Sequence, residues 1–115
     1  MIFTESLRNN RDFQSVFRSG KSFANKYLVM YVSKNQLQGN RLGISVSKKV
    51  GNSVVRHRVK RLIKESYRLH ENIFNSGLDI VVIARNNAAD FTFEEAESAL
   101  LHLWKLHNKK LGKME

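Results

Sequence analysis

Apolar and polar positions recur along the chain with two different periods. Asn9 or Asn10 stands before a stretch in which Phe13, Val16 and Phe17 fall at i, i+3 and i+4. That is the spacing of one helical face, and Gly20 follows as a closing residue with left-handed backbone. From Phe23 to Ser33 the run Tyr27-Leu28-Val29-Met30-Tyr31-Val32 is rich in strand formers; it predicts a strand with Tyr27, Val29 and Tyr31 on one face. The polar segment Asn35-Gln36-Leu37-Gln38-Gly39-Asn40 reads as a turn. Leu42, Ile44 and Val46 then alternate strictly with Gly43, Ser45 and Ser47 up to Lys48. This predicts a second strand, antiparallel to the first, with one small and polar face.

Gly51-Asn52-Ser53 breaks the chain and caps a long helix from about Ser53 to His70. Val55, Val59, Leu62, Ile63, Ser66 and Leu69 cover one arc of it; Arg56, His57, Lys60, Arg61, Lys64 and Arg68 cover another. Gly77 introduces Leu78 to Arg85, whose unbroken apolar run Ile80–Ala84 suits a strand covered on both faces. Thr92-Phe93-Glu94-Glu95 is a capping box opening a helix with Ala96, Leu100, Leu103 and His107 at helical spacing. The predicted order is α-β-β-α-β-α, an α+β sandwich in which helices pack a small sheet. No repeat or linker divides it, so residues 1–115 read as a single domain.

Charge sharpens the picture. The 115 residues carry 20 Lys+Arg against 10 Asp+Glu, a net charge of +10. Between Asp12 and Glu65 there is no acidic residue at all, whereas the acids gather at Asp79, Asp90, Glu94, Glu95 and Glu97. One face is therefore expected to be strongly positive, and a polyanion, nucleic acid first, is the expected partner. The chain has no Cys, which excludes thiolate zinc sites and disulfide partners and fits a reducing, cytoplasmic compartment. No stretch approaches a membrane span, and Met1-Ile2-Phe3-Thr4-Glu5-Ser6 lacks the pattern of a secretory signal. A soluble, non-secreted protein without a membrane partner is expected.

The basic arc of the long helix is the strongest motif, because Arg bridges phosphate oxygens bidentately. Glu65, placed between Arg61 and Arg68 at helical spacing, is expected to orient them. Phe13 and Phe17 are open to two readings: a core-facing pair, or one wall of a trough in which bases of single-stranded nucleic acid stack beside the polar strand face. Catalytic motifs fare worse. Ser45-Val46-Ser47-Lys48 matches S-x-x-K but falls on a strand rather than at a helix start. His102 and His107, at i and i+5, do not share a helical face as zinc ligands would, and are expected to be surface or half-buried side chains. Asp79, Asp90 and Glu94 form no close pair near the basic helix, which disfavours a self-sufficient nuclease.

From Leu42 through Lys48-Lys49-Val50-Gly51-Asn52-Ser53-Val54-Val55-Arg56-His57-Arg58-Val59-Lys60-Arg61 the sequence strongly resembles the protein subunit of bacterial ribonuclease P. The likeness extends to Asp12–Phe17, Phe23-Ala24-Asn25 and Asp79–Arg85. The resemblance implies a protein cofactor of an RNA-based endoribonuclease that removes the 5′ leader of precursor tRNA, with the RNA subunit and its Mg²⁺ performing the hydrolysis. It implies that Arg56, His57, Arg58, Lys60, Arg61, Lys64 and Arg68 meet the RNA subunit. By the same token Phe13, Phe17 and Tyr31, with Ser45, Ser47 and Lys48, hold the leader, and no side chain is catalytic or metal-binding. His57 stands where the family signature Arg-Asn-Arg usually has Asn; imidazole can still donate and accept hydrogen bonds. The family fold further implies a left-handed β-α-β crossover, against the usual right-handed rule. Two rivals stand beside this reading: a ribosomal or other structured-RNA-binding protein without a processing role, and a self-contained nuclease with His57 as general base.

Overall fold

The structure, a computed structural model, describes residues 4–74 and 77–113; half of the segment read for a signal sequence, Met1–Phe3, lies outside them. Eight principal elements follow in order: β1 (Thr4–Ser6), α1 (Asn10–Ser19), β2 (Lys21–Ala24), β3 (Leu28–Lys34), β4 (Asn40–Ser45), α2 (Ser53–Leu69), β5 (Leu78–Ala84) and α3 (Phe93–Lys113). The strands form one mixed sheet in the order β1-β4-β5-β3-β2. The α+β class and the six expected elements are present, with two short edge strands added.

The added strands explain where pattern reading fell short. The single strand expected from Phe23 to Ser33 is a hairpin: Asn25 Oδ1 accepts from the backbone N–H of Tyr27 at 3.1 Å and of Leu28 at 2.9 Å, folding β2 back on β3. Tyr27 falls in that turn, so it does not share a face with Tyr31. Its hydroxyl donates to Glu95 at 2.6 Å and its ring lies 5.6 Å from Phe91, on the opposite side of the sheet. β3 and β4 run in opposite senses but do not pair, because β5 lies between them, antiparallel to β3 and parallel to β4.

α2 and α3 cover one face of the sheet. Val59, Ile63 and Tyr67 of α2 and Leu100, Leu103 and Trp104 of α3 bury themselves against Leu28, Met30, Leu42, Ile80 and Val82. α1 covers the other face through Val16, seated on Val81 and Leu7. β5 is thus buried on both faces, as its unbroken apolar run requires. Tyr67, outside the expected apolar arc of α2, is fully buried, whereas Leu69 is 50% exposed. Tyr67 is satisfied by Thr4 Oγ1 at 2.8 Å and by the Asn40 amide at 3.3 Å.

The helix caps follow the sequence. Asn52 Oδ1 accepts from Val55 N–H at 3.0 Å, and Thr92 and Glu95 exchange both capping-box bonds. Gly20 departs from expectation: its backbone is extended. A side chain is excluded there by space, since a Cβ would stand 2.6 Å from the Val16 carbonyl oxygen. His107, expected to be a surface or half-buried side chain, is fully buried; it bonds to the Met30 carbonyl at 2.8 Å, and its ring lies edge-on to Phe23. Burial lowers its pKa, the Met30 bond opposes this, and Lys110 adds to the lowering. His102 is exposed.

Candidate nucleic-acid interface

The strand registers define three cross-strand rows on the α1 face. The first is Arg41–Asp79–Ser33, the second Gly43–Val81–Tyr31 and the third Ser45–Ile83–Val29. α1 crosses the strands over the first two. At its start Arg41 Nε and Nη2 clamp both oxygens of Asp79, at 2.8 and 2.6 Å, while Nη1 reaches Asp12 at 3.4 Å. The Asp79 bond raises the Arg41 pKa above its ordinary value. At its end Ser19 Oγ meets Ser33 Oγ at 3.1 Å. Between these pins Phe13 stands over Gly43, where a Cβ would come within 2.6 Å of the ring, and Phe17 meets Tyr31 edge-on at 5.0 Å.

The third row is left uncovered. Ser45, Ile83 and Val29 are all half-buried and form a floor beside the wall of Phe13, Phe17 and Tyr31, whose rings are half-buried too. The two readings of the aromatic pair therefore merge: one side of each ring packs on Tyr31 or Gly43, and the remainder faces the trough. Ser47 and Lys48 lie beyond the end of β4, which stops at Ser45, and are exposed at the trough's open end. Exposed Arg85 at the end of β5 borders the same end, its guanidinium donating to the Asn25 carbonyl at 2.8 Å. Val29, Ile83 and Arg85 were not singled out in the sequence as site residues; only strand register brings them there.

The basic helix presents its charges unevenly. His57, Arg61, Lys64 and Arg68, at i, i+4, i+7 and i+11, form one exposed strip. Arg56 and Lys60 occupy the flank toward β1, where Arg56 is half-buried with its Nε enclosed and lacking a protein partner. Arg58 lies on the other flank and spends one donor on the Phe91 carbonyl at 2.8 Å, tying α2 to the loop before α3. Glu65 pairs with Arg68, accepting on both oxygens, which lowers the Glu65 pKa and raises that of Arg68. Arg68 is thus held in place at some loss of free charge.

Asp79, a buried acid under α1, is engaged by Arg41 and by the Asn35 amide at 2.9 Å. Among the described residues no group of three or more His, Asp or Glu is arranged to hold a metal ion. Nor is any helix among them long and apolar enough to cross a membrane. What the geometry offers is stacking surface, a largely aliphatic floor edged by Ser45 and fixed positive charge, the equipment for binding RNA.

Comparison with known proteins agrees with this chemistry. The Ribonuclease P family model matches residues 1–108. The ribonuclease P protein component of Lachnoclostridium phytofermentans is 65% identical over 104 residues, covering 90% of each chain. The solved RNase P protein of Staphylococcus aureus superposes with a TM-score of 0.82 at 40% identity, over 89% of this chain and 94% of that one. The RNase P protein of Thermotoga maritima superposes with a TM-score of 0.80 at 37% identity, over 88% and 96%. These relatives favour the ribonuclease P reading over a ribosomal or other structured-RNA-binding protein. The chain belongs to the ribonuclease P protein family, the protein component of the complex that processes tRNA 5′ ends, with the ribonuclease P RNA as its partner.

Proposed function

We propose that the chain works by binding on two faces at once. The strip His57, Arg61, Lys64 and Arg68, with Arg56, Lys60 and Arg58 on its flanks, docks on the RNA subunit. The trough walled by Phe13, Phe17 and Tyr31 takes the single-stranded 5′ leader of precursor tRNA, with Ser45, Ser47 and Lys48 meeting its backbone. The uncovered row Ser45–Ile83–Val29 beside the aromatic wall carries this reading, because a leader strand needs a groove open at its end with rings to stack on and cations nearby. Mg²⁺ is assigned to the RNA subunit, which carries the hydrolysis; the protein contributes binding energy and positive charge that lowers the Mg²⁺ the RNA requires. The setting is the cytoplasm, and the substrate is precursor tRNA.

The test is multiple-turnover cleavage of a precursor tRNA at low millimolar Mg²⁺ by protein alone, RNA subunit alone, and both together. Cleavage at the mature 5′ end that the mixture alone sustains is expected. Cutting by the protein alone would revive His57 as a nuclease base, and no gain in the mixture would overturn the cofactor role.

A further inference from the structure

A second groove lies on the opposite side of the molecule from the leader trough. It opens between β1 and α2 on the α2 face of the sheet, with Leu42 and Ile44 as an aliphatic floor and Ser6 on its wall. Lys60 and Lys64 rim it from the helix, Arg8 from the segment after β1, and Glu5 is the single acid among its lining residues. The Thr4–Tyr67 hydrogen bond of 2.8 Å joins β1 to α2 beyond Ser6 and Lys64, so the groove is closed at that end. β1 is the edge of the sheet, and no strand pairs with its outer side among the described residues.

We propose that this groove is a pocket for one extruded nucleotide of the RNA subunit, an inference that rests on α2 docking there. Its volume of about 240 Å³ falls below the ~300–1,000 Å³ of clefts that enclose drug-sized ligands. It suits a single base, not a cofactor or a folded peptide. The aliphatic floor of Leu42 and Ile44 receives the base face by apolar contact. The Ser6 hydroxyl and the open edge of β1 offer hydrogen bonds to the base edge, while Arg8 stands across from Lys60 and Lys64 to hold the flanking phosphates. Three cations against one carboxylate select a polyanion. Lys60 and Lys64 belong both to this rim and to the basic side of α2, so the strand that enters the groove is the one already lying on the helix. The leader, held on the other face of the sheet, is the wrong strand for it. Docking of α2 is thereby keyed to a single position along the RNA rather than free to slide over phosphates.

The experiment fills the groove without altering its charge. Ser6→Trp, in the full chain, is expected to weaken equilibrium binding to the RNA subunit about tenfold at fixed salt and to leave discrimination between leader-bearing and leaderless tRNA unchanged. Chemical probing of the RNA subunit is expected to reveal one base protected in the wild-type complex and reactive in the Ser6→Trp complex. Should Ser6→Trp fail to fold, Ser6→Cys alkylated with a bulky maleimide after folding takes its place, since the chain contains no other cysteine. The double variant Lys60→Ala/Lys64→Ala separates the two failures. If it weakens binding while the filled groove binds as wild type with no base newly exposed, the nucleotide pocket is overturned and helix docking stands. If neither change weakens binding, the docking reading falls with it.

Discussion

Phe17→Ala tests the trough most directly. The Phe17 ring is half-buried and rests edge-on against Tyr31 with centroids 5.0 Å apart, so one side of it is free to carry a base. Base–aromatic stacking contributes ~1–3 kcal/mol per base. With only part of the ring available the lower half of that range applies, ~1–2 kcal/mol, or about 5–30-fold in affinity. Removing the ring also costs ~1–2 kcal/mol of protein stability, from lost apolar burial and the edge-on pair. That is a fall of several degrees in Tm. The assay is the ratio of holoenzyme affinities for a precursor with a leader and for the same tRNA without one, at fixed Mg²⁺ and salt. The ratio should drop 5–30-fold while affinity for the RNA subunit alone is retained, since α2 lies on the other face of the sheet. Phe17→Leu separates stacking from packing: it refills much of the space and restores stability, yet should lose the same leader discrimination. An unchanged ratio in Phe17→Ala, or a full rescue of the ratio by Leu, would refute the reasoning.

Three further outcomes follow from particular contacts. Gly43→Ala places a Cβ 2.6 Å from the Phe13 ring and 3.2 Å from Leu7. Phe13 must swing out of the trough wall, so leader discrimination should fall, with ~1–3 kcal/mol of overpacking visible by denaturant titration. His107, its pKa lowered chiefly by burial, favours the folded state only while neutral. Its contribution is present above the ordinary imidazole value of ~6.5 and is lost as pH falls through the lower folded value. Urea midpoints should therefore decline on acidification, and His107→Gln should flatten that decline. Arg61→Ala, in the middle of the exposed strip, should lower the slope of log K for the RNA subunit against log salt by about one, read from a salt titration; an unchanged slope would show that Arg61 meets no phosphate.

The helices were legible because their signals are local. Asn52, and Thr92 with Glu95, cap the elements that follow them, and the stripe Ala96, Leu100, Leu103 and His107 is buried throughout. That stripe also spoke for a fully buried His107; the expectation of a surface or half-buried histidine came from weighing metal ligation alone. The sheet was less legible because its decisive contacts join distant residues. β1 is three residues long and shows no alternation. The turn at Asn25 falls where the polar pair Asn25-Lys26 precedes the run of strand formers, a turn signal that the single-strand reading from Phe23 to Ser33 passed over, and it sends Tyr27 and Tyr31 to opposite faces. The insertion of β5 between β3 and β4 is likewise invisible to periodicity, although the unbroken run of β5 correctly foretold burial on both faces. In the aromatic trough Phe13 and Phe17 were readable from helical spacing and Ser45 from strand alternation, whereas Ile83 and Val29 join them only through strand register. Along α2 the 100° arcs left Arg58 out of the basic arc; it joined the RNA-binding set only through the family resemblance, and its guanidinium is drawn aside by the Phe91 carbonyl thirty-three residues on.

The central position of β5 bears on how the chain is made. β5 bonds to β3 on one side and β4 on the other, yet it is the last strand to leave the ribosome. Until residues 78–84 emerge, the β2–β3 hairpin and the β1–β4 pair are two separate fragments, and α1 has no Val81 on which to seat Val16. The aromatic trough and the seat of the basic helix are completed together in that one late, long-range step, which loop-closure entropy makes slow. During that interval the acid-free stretch between Asp12 and Glu65 is exposed as unfolded, highly cationic chain. Insertion of β5 between β3 and β4 is what fixes those charges on a folded surface.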